Sequence, residues 1–520
     1  MSEQVYDLVI VGGGVNGTGI AADAAGRGLT VALFEADDLA SATSSASSKL
    51  IHGGLRYLEH YEFRLVKEAL AERETILKMA PHIVSPMRFR LPHRPHLRPA
   101  WMIRAGLFLY DNLAKRVTLP GSCTLKFGPD SALKPEIRRG FEYSDGWVDD
   151  ARLVTLNAMQ AREKGGEIYT RTKVTRATRH KGLWQIEVTD SLTGESREVL
   201  SRGLVNAAGP WVKSFFDESL TENSPRNIRL VKGSHIIVPR IHDEPQAYIL
   251  QNDDQRIVFV IPYLQQFSLI GTTDVEYQGD PRKVAIDEDE TQYLIRVVND
   301  HFKQQISTDD VIASYSGVRP LCDDESSSAQ AVTRDYTMEL SDACGKAPLL
   351  SVFGGKLTTY RKLGQAALNK LKPYYPHAGG DWTANCALPG GDIESAASLE
   401  QGLKQEYPWL EADLRRRLAH SYGSLSRQML GQARSFKELG EHYGCGLTER
   451  ELEYLIKHEW VVSADDVLRR RSKLYLFMTG QQRQHLAKVM EQKLPEILSE
   501  RFQSASSATK ELTIPEVVNG

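Results

Sequence analysis

Residues 5–35 contain the pattern that most constrains the fold of this chain. Residues 5–11 (VYDLVIV) form an apolar run rich in β-branched side chains, which is typical of a buried parallel strand. Three glycines follow at 12–14, an Ala-rich helical pattern extends over 15–27, and residues 30–34 have the composition of a second strand. A strand, a glycine turn, a helix and a second strand in this order predict a βαβ unit.

Three glycines in this unit have the spacing of a dinucleotide-binding turn. Gly12, Gly14 and Gly17 form a G-x-G-x-x-G pattern, in which the first permits a tight turn, the second admits a pyrophosphate and the third lets helix pack on strand. The helix N-terminus then directs free N–H groups at phosphate. Glu35 ends the second strand, where a carboxylate accepts hydrogen bonds from ribose hydroxyls. We therefore predict a dinucleotide site, with a plain glycine-rich turn as the alternative; the pattern does not choose between FAD and NAD.

Length and charge limit the class of protein. A chain of 520 residues is too long for one core, and we expect roughly two to four domains. The 64 basic and 67 acidic side chains give a net charge of −3, which offers no overall attraction to nucleic acid. An anionic partner would have to bind a local basic patch, so no nucleic-acid partner is predicted.

Cysteine usage and hydropathy favour a cytoplasmic protein. The five cysteines are far apart and lack metal-site spacing, so we expect reduced packing residues and no metal site. The N-terminus has no basic region followed by a cleavage-site pattern. No apolar run approaches the ~20 residues needed to span a bilayer. We expect a protein that does not cross a membrane by helices.

Several longer stretches resemble one flavoenzyme family. They are SSASSKLIHGGLRYL (44–58), FEYSDGWVDDARL (141–153), VNAAGPWV (205–212), VKGSHI (231–236), IGTTD (270–274), YSGVRPLCDDE (315–325) and FGGKLTTYRK (353–362). Motifs of this length in this order are specific. The chain resembles the FAD-dependent glycerol-3-phosphate dehydrogenases from residue 5 to about 390, continuing through HEWVVSADDVLRRR from His458, and within them the bacterial quinone-linked branch.

The resemblance implies a fold class of α/β plus α+β. It comprises a glutathione-reductase-like FAD-binding βαβ domain, an antiparallel-sheet substrate cap and a C-terminal helical domain. Composition changes agree, since 228–320 contain β-like runs and 395–500 are mostly helix formers. The predicted boundaries are 1–85, 145–228 and 320–385 for the FAD domain, 86–144 and 229–319 for the cap, 386–505 for the helical domain and 506–520 for a flexible tail.

The resemblance also implies an activity. The family oxidises sn-glycerol 3-phosphate to dihydroxyacetone phosphate by hydride transfer to flavin N5 of noncovalently bound FAD, and passes the electrons to ubiquinone or menaquinone. One alternative is a glycerol-3-phosphate oxidase that reduces oxygen, although the extra insertion common in that branch is absent from the sequence. An amino-acid oxidase relative and a flavin-binding redox sensor without turnover are more distant alternatives.

Oxidation of an alcohol requires an acceptor for the hydroxyl proton and groups that bind and orient the substrate. Arg56 and Arg319 lie in glycine- or proline-flanked motifs and are candidates for binding phosphate bidentately, with surface or structural roles as the alternative. His235 is the predicted general base because an unperturbed imidazole titrates near neutral pH. A structural histidine is the alternative, and His52 is a second candidate that could instead line the flavin.

Lys356 follows Gly354 and Gly355 at a strand-to-helix turn, where a cation would stabilise the anionic reduced flavin. Thr272 is predicted to offer its hydroxyl to the substrate, with a turn-stabilising role as the alternative. The predicted cofactor-binding residues are Gly12, Gly14, Val15, Asn16, Gly17, Glu35, Ser44, Ser45, Ser47, Ser48, Lys49, His52, Gly53, Ala208, Gly209, Gly354, Gly355, Lys356, Leu357 and Thr358.

Residues 86–116 combine seven basic side chains with aromatic and aliphatic ones against a single acid, Asp111. This composition favours contact with anionic lipid without spanning it. A second basic cluster, Arg469, Arg470, Arg471 and Lys473, precedes an apolar LYLF stretch and is included in the prediction. We therefore predict peripheral association with the inner face of the cell membrane. A cap core with solvated arginines, or a homodimer surface, is the alternative.

Overall fold

The structure is a computed structural model that describes residues 4–94, 99–220, 222–254, 256–322 and 335–507. Residues 95–98, 323–334 and most of the predicted tail (508–520) lie outside the described residues. The strands are β1 (Val5–Val11), β2 (Val31–Phe34), β3 (Leu50–Ile51), β4 (Val84–Pro92), β5 (Cys123–Lys126), β6 (Arg139–Val148), β7 (Glu167–Tyr169), β8 (Thr172–His180), β9 (Leu183–Asp190), β10 (Ser196–Asn206), β11 (Ile228–Pro239), β12 (Ala247–Gln251), β13 (Ile257–Tyr263), β14 (Phe267–Gly271), β15 (Val275–Glu276), β16 (Ala313–Cys322), β17 (Thr337–Ala343), β18 (Lys346–Phe353), β19 (His442–Gly444) and β20 (Leu447–Thr448). The α-helices are α1 (Val15–Gly26), α2 (Phe63–Met79), α3 (Ala100–Asn112), α4 (Asp150–Glu163), α5 (Val212–Ser219), α6 (Glu288–His301), α7 (Tyr360–Leu371), α8 (Ala396–Glu406), α9 (Ala412–Tyr422), α10 (Leu425–Leu430), α11 (Glu449–Glu459) and α12 (Gly480–Ser507).

The first sheet contains the predicted βαβ unit. Its order is β17-β18-β10-β1-β2-β7, and β18, β10, β1, β2 and β7 pair in parallel. All of β1 beyond Val5 is buried, because neighbouring strands and helices cover both faces of a parallel sheet. Helix α1 packs against α4 and α7. The loops that follow Val11, Phe34 and Asn206 leave the same edge of the sheet, where α/β folds bind ligands.

The second sheet covers that edge. Its order is β15-β11-β14-β13-β12-β4-β6-β3, with β16 on β11 and β5 on β6, and its pairs are antiparallel except β12 with β4. The strand β3 belongs to it although it falls within the predicted segment 1–85. Successive side chains of a strand face opposite sides. Ile236 of β11 therefore packs with α6, whereas His235 and Ile237 face the other way.

The C-terminal region has its own core. Helices α8 to α12 and the hairpin β19–β20 bury a separate cluster that includes Leu403, Tyr422 and Leu455. A π-helical turn, Asp466–Arg471, follows α11 and contacts α4 of the first sheet's helical layer. Within the ranges given above, no helix is long and apolar enough to cross a membrane.

Candidate active site

A cavity of about 870 Å³ lies between the carboxyl edge of the first sheet and the second sheet. Both the predicted catalytic residues and the predicted cofactor-binding residues contribute to its wall. The predicted residues that line it are Gly12, Gly14, Val15, Asn16, Glu35, Ser44, Ser47, Ser48, His52, Ala208, Gly209, His235, Thr272, Arg319, Gly354, Gly355, Lys356, Leu357 and Thr358. Residues far apart in the sequence therefore form one site.

Two of the glycines in the turn after β1 have no room for a side chain. Gly12 has a φ of +111°, and a Cβ there would lie 2.4 Å from the carbonyl oxygen of Ala207. A Cβ on Gly17 would lie 1.9 Å from the carbonyl oxygen of Gly12. Gly12 thus brings β1 against the loop after β10, and Gly17 brings α1 against the turn.

Glu35 and Ser44 complete this end of the cavity. The Oε2 atom of Glu35 accepts a hydrogen bond from the N–H of Gly13 at 2.6 Å, and Oε1 accepts one from Asp37 at 2.8 Å. Burial raises the pKa of the Glu35 carboxyl to about 6, although these two N–H groups oppose the rise. The Oγ atom of Ser44 accepts from the first N–H of α1, on Val15, at 3.0 Å. A carboxylate and a helix N-terminus therefore face the same cavity.

The opposite wall comes from the turn after β18. Gly354 and Gly355 both have positive φ, and the Nδ2 atom of Asn16 donates to the Gly354 carbonyl at 3.1 Å. The Oδ1 atom of Asn16 is buried without a hydrogen-bond partner among the described residues. Lys356 precedes the turn Leu357–Thr359, which continues into α7, and its Nζ lies 3.8 Å from the centre of the Tyr57 ring. The positive charge of Lys356 and the N-terminus of α7 therefore lie at the same wall of the cavity.

His235 is 2% exposed and lines the cavity from β11. Its Nε2 atom lies 2.9 Å from the hydroxyl of Ser48, and its ring stacks on Tyr315 with 4.8 Å between centroids. Burial, together with the positive charges of Arg319 and Lys49, holds the pKa of His235 well below its ordinary value. The imidazole is therefore neutral at physiological pH.

Arg319 on β16 is directed into the cavity beside His235. Its Nη2 donates to the hydroxyl of Thr272 at 3.0 Å, and its Nη1 is ion-paired with Asp274. A Cβ on Gly233, which is on the neighbouring strand, would lie 2.3 Å from Nη2. A glycine at that position gives the guanidinium its space. Asp274 and Thr272 fix the direction of a fork that matches an oxyanion.

Two family models match the chain. The model described as FAD dependent oxidoreductase matches residues 7–361, and the C-terminal domain of alpha-glycerophosphate oxidase matches residues 382–497. Aerobic glycerol-3-phosphate dehydrogenase from Escherichia coli (strain K12) is 61% identical over 504 residues, which cover 97% of this chain and 100% of that protein. This chain belongs to the FAD-dependent glycerol-3-phosphate dehydrogenases.

Two further relatives bear on cofactor and substrate. Glycerol-3-phosphate dehydrogenase from Bacillus halodurans, solved in complex with FAD, superposes with a TM-score of 0.76 at 26% identity, covering 99% of this dehydrogenase and 97% of that chain. D-erythritol 1-phosphate dehydrogenase from Brucella abortus (strain 2308) is 51% identical over 485 residues, covering 92% of this chain and 96% of that protein.

FAD is the cofactor of this dehydrogenase, and the cavity fits it. The narrow turn at Gly12, the half-buried carboxylate of Glu35 and the Oδ1 of Asn16, which has no partner among the described residues, offer a cradle and polar partners along one wall. Within the described residues, no group of three or more His, Cys, Asp or Glu side chains could bind a metal ion.

Five predicted site residues do not line the cavity of this dehydrogenase. Gly17 packs under the turn, and Gly53 is buried, its N–H donating to Tyr110 at 2.8 Å. The hydroxyl of Ser45 donates to the Ala42 carbonyl. Arg56 is half-buried on the turn Leu55–His60 beside Tyr57, which does line the cavity. The fifth residue is Lys49, which lies behind the wall.

Asp150 is a supporting residue that the sequence analysis did not single out. It is fully buried at the start of α4, ion-paired to Lys49 at 2.8 Å, and accepts from the hydroxyl of Ser47 at 2.7 Å. It thus fixes the segment that presents Ser48 to His235. Both Asp150 and Tyr315, the stacking partner of His235, occur within the motifs that carry the family resemblance, which was the available signal.

The prediction that the second basic cluster meets lipid is wrong. Arg471 is buried and paired with Asp38, Arg470 is also paired with Asp38, and Lys473 is buried against Asp149. Only Arg469 of the four extends into solvent as an exposed side chain. The run of cations was interpreted as a solvated surface because the partners that bury it, Asp38 and Asp149, lie more than 300 residues away in the sequence.

Proposed function

We propose that this dehydrogenase oxidises sn-glycerol 3-phosphate to dihydroxyacetone phosphate and delivers the electrons to ubiquinone or menaquinone. The supporting observation is that a buried neutral imidazole, His235, and a directed guanidinium, Arg319, line the same cavity as the dinucleotide turn. The named E. coli relative, 61% identical over nearly all of both chains, supports the substrate.

Four ionisable side chains in or beside the cavity have roles in this proposal. FAD, when bound, supplies the acceptor for the substrate hydride. His235 removes the hydroxyl proton, since its imidazole is neutral and lines the cavity. Arg319, oriented by Thr272, binds the phosphate group, and Arg56 joins it from the adjoining turn. Lys356 places positive charge at the turn after β18.

The binding of FAD is proposed to be noncovalent and to use the sixteen of the twenty predicted cofactor residues that line the cavity. The other four (Gly17, Ser45, Lys49 and Gly53) support the wall from behind. Glu35 accepts from ribose hydroxyls, and the N-terminus of α1 faces the pyrophosphate. The glutathione-reductase-like architecture belongs to this proposal, as do the predicted boundaries of the FAD domain, cap and helical domain, except that β3 pairs with the cap strand β6. Support comes from the three separate groups of elements: the first sheet, the second sheet and helices α8 to α12.

Quinone reduction requires access to a membrane, and α3 offers a surface for it. Seven of the eight large hydrophobic side chains that are exposed within the described residues lie between residues 61 and 117. Trp101 is 73% exposed and Phe108 is 62% exposed on one face of α3, whereas Ile103 and Leu107 on its other face are buried. Exposed aromatics flanked by the cations Arg104 and Lys115 suit an anionic lipid surface. Peripheral binding to the inner face of the cell membrane through α3 is therefore proposed, with a homodimer through the same face as the rival.

Anaerobic titration of the holoenzyme with sn-glycerol 3-phosphate tests the activity. We expect loss of the yellow flavin absorbance at one equivalent, with dihydroxyacetone phosphate as product and recovery when a soluble quinone is added. D-erythritol 1-phosphate serves as the comparison substrate, because a relative with 51% identity carries that name. Bleaching by D-erythritol 1-phosphate alone would show that it, and not glycerol 3-phosphate, is the substrate. Peroxide in stoichiometric yield under air would favour the oxidase. No bleaching by either compound would refute a dehydrogenase.

Co-sedimentation with anionic liposomes tests the membrane surface. We expect binding at low salt that weakens at high salt, and its loss in Trp101→Asp and Phe108→Asp. Ile312→Asp is the matched control, since Ile312 is the one of the eight exposed large hydrophobic side chains named above that lies outside residues 61–117, and its substitution should leave binding intact. Wild-type protein that stays in the supernatant at low salt, or sedimentation unaffected by either α3 substitution, would refute the proposed surface.

A further inference from the structure

The loop after β2 carries the carboxylate that faces the cofactor cavity. This Glu35 loop, residues 35–41, contacts the glycine turn at three points. Oε2 of Glu35 accepts from the N–H of Gly13, the N–H of Ala40 donates to the carbonyl of Gly13 at 3.1 Å, and Leu39 packs so close that a Cβ on Gly13 would lie 2.9 Å from it. The position of Gly13 therefore depends on the conformation of this loop.

Asp38 lies at the middle of the Glu35 loop and is 1% exposed. Its Oδ2 accepts from Arg470 Nε at 2.5 Å and from Arg471 Nη1 at 2.7 Å, and its Oδ1 accepts from Arg471 Nη2 at 2.8 Å. Burial raises the pKa of the Asp38 carboxyl, but the two guanidinium groups outweigh burial and bring it to about 2. The carboxylate is thus charged, buried and bound by three N–H groups.

Both arginines come from the C-terminal region, on the π-helical turn Asp466–Arg471. Helices of this type are rare and occur often at functional sites. Arg471 is itself fixed, because its Nη2 also donates to the carbonyl of Glu459 at the end of α11, at 2.7 Å. A rigid connection therefore runs from α11 through Arg471 and Asp38 to the Glu35 loop.

A second connection reaches the same place. Arg171, which follows β7, donates to both carboxylate oxygens of Asp466 at 2.8 and 3.0 Å. The N–H of Arg171 also donates to the carbonyl of Asp37 in the Glu35 loop at 2.9 Å. The C-terminal turn is therefore attached to the loop from two sides, through Asp38 directly and through Arg171.

We propose that Arg470 and Arg471 are positioning residues for FAD, through which the C-terminal helical region holds the Glu35 loop in its cofactor-binding conformation. Neither arginine lines the cofactor cavity, so they act through Asp38. The inference rests on the proposed role of Glu35 in binding the ribose of FAD. It assigns to the C-terminal region a part in cofactor affinity rather than only in stability.

Asp38→Asn and Glu451→Gln form a matched pair of tests, since both replace a buried carboxylate by its amide. Glu451 is bound bidentately by Arg417 at 2.5 and 2.7 Å within the C-terminal region, far along the chain from the Glu35 loop. The measurement is the Kd of FAD for the apoprotein by quenching of flavin fluorescence, with thermal unfolding of each apoprotein alongside. We expect Asp38→Asn to raise Kd roughly ten- to hundredfold and Glu451→Gln to leave it unchanged while lowering Tm.

Arg470→Gln and Arg471→Lys supply milder variants in case Asp38→Asn does not fold. Arg470→Gln removes one of the three bonds to Asp38, and Arg471→Lys keeps the charge but loses the fork, so each should raise the Kd less than Asp38→Asn does. An equal rise in Kd for Glu451→Gln and Asp38→Asn would show a purely structural effect and overturn the inference, as would an unchanged Kd in folded Asp38→Asn. Failure of glycerol 3-phosphate to bleach the wild-type flavin would overturn the proposed substrate while leaving the FAD measurement valid.

Discussion

At the scale of single residues, the protonation state of His235 sets how activity depends on pH. Its pKa lies well below the ordinary ~6.5, so the imidazole is uncharged at pH 7. It becomes protonated only at a lower pH than an ordinary histidine does. We expect kcat/KM to be independent of this group above about pH 7 and to fall only well below pH 6.5. His235→Asn should lower kcat by about 10²- to 10⁴-fold and abolish that acidic limb.

The control for this prediction is another buried histidine. His242 has a pKa lowered to about 4, by burial first, but it packs on Phe302 away from the cavity. His242→Asn should therefore leave the pH profile of kcat/KM unchanged. A His235→Asn enzyme that retains the wild-type rate within a few-fold would exclude this imidazole as the base and turn attention to His52.

A substitution of Arg319 should affect substrate binding but not cofactor binding. Arg319→Lys keeps the positive charge but cannot bond Thr272 and a phosphate in the same forked geometry. We expect KM for glycerol 3-phosphate to rise about ten- to hundredfold while the Kd of FAD stays unchanged. Arg240→Lys, whose guanidinium donates to backbone carbonyls outside the cavity, is the control. Steady-state kinetics of the two variants should differ; identical kinetics would remove Arg319 from the substrate site.

Contacts within one short segment can be predicted from the sequence more easily than contacts between residues far apart in the chain. The packing of Gly17 on Gly12 and the contact of Glu35 with Gly13 could be predicted because all four residues belong to one continuous segment. The contact of Ser48 with His235 joins residues 187 positions apart and could be anticipated only from motif resemblance. Arg471 was misinterpreted because no local pattern identifies Asp38, 433 positions away, as its partner.

At the scale of elements, the packing of α1 on the glycine turn limits what Gly17 tolerates. A Cβ there would overlap the Gly12 carbonyl oxygen at 1.9 Å, so Gly17→Ala must move α1 or the turn. We expect a purified protein with little bound flavin and a lower Tm. Gly106→Ala is the matched control, because Gly106 is inside α3 and, among the described residues, no atom beyond its chain neighbours and its own helix backbone lies within 4 Å of a Cβ placed there. That substitution should change stability by no more than about 1 kcal/mol, towards stabilisation.

Flavin absorbance per chain and thermal unfolding measure both variants. A Gly17→Ala protein that keeps a full complement of FAD would show that the turn can relax by more than its packing suggests.

The strands around this turn were predictable from hydrophobic runs. Residues 86–146 were not, because β4 and β6 form a half-buried antiparallel pair whose arginines pair with Glu142 across the strands.

At the scale of the whole molecule, a link between FAD and the C-terminal region must act in both directions. If the Asp38 bonds raise the affinity for FAD, bound FAD must stabilise those bonds by the same factor. We expect amide hydrogen exchange in residues 459–472 to be faster in the apoprotein than in the holoenzyme. The hairpin β19–β20, which belongs to the same C-terminal core but does not touch the Glu35 loop, should exchange equally in both.

Asp38→Asn makes the comparison decisive. With the carboxylate gone, Arg470 and Arg471 lose their charged partner in the Glu35 loop and only the connection through Arg171 remains, so saturating FAD should slow exchange in residues 459–472 much less than in the wild-type protein. Glu451→Gln leaves the connection intact and should preserve the difference between apoprotein and holoenzyme, although exchange rises in both. Equal protection of residues 459–472 with and without FAD in the wild-type protein would contradict the coupling. In that case the ion pairs at Asp38 contribute to docking of the C-terminal region alone, and cofactor affinity is set within the first sheet.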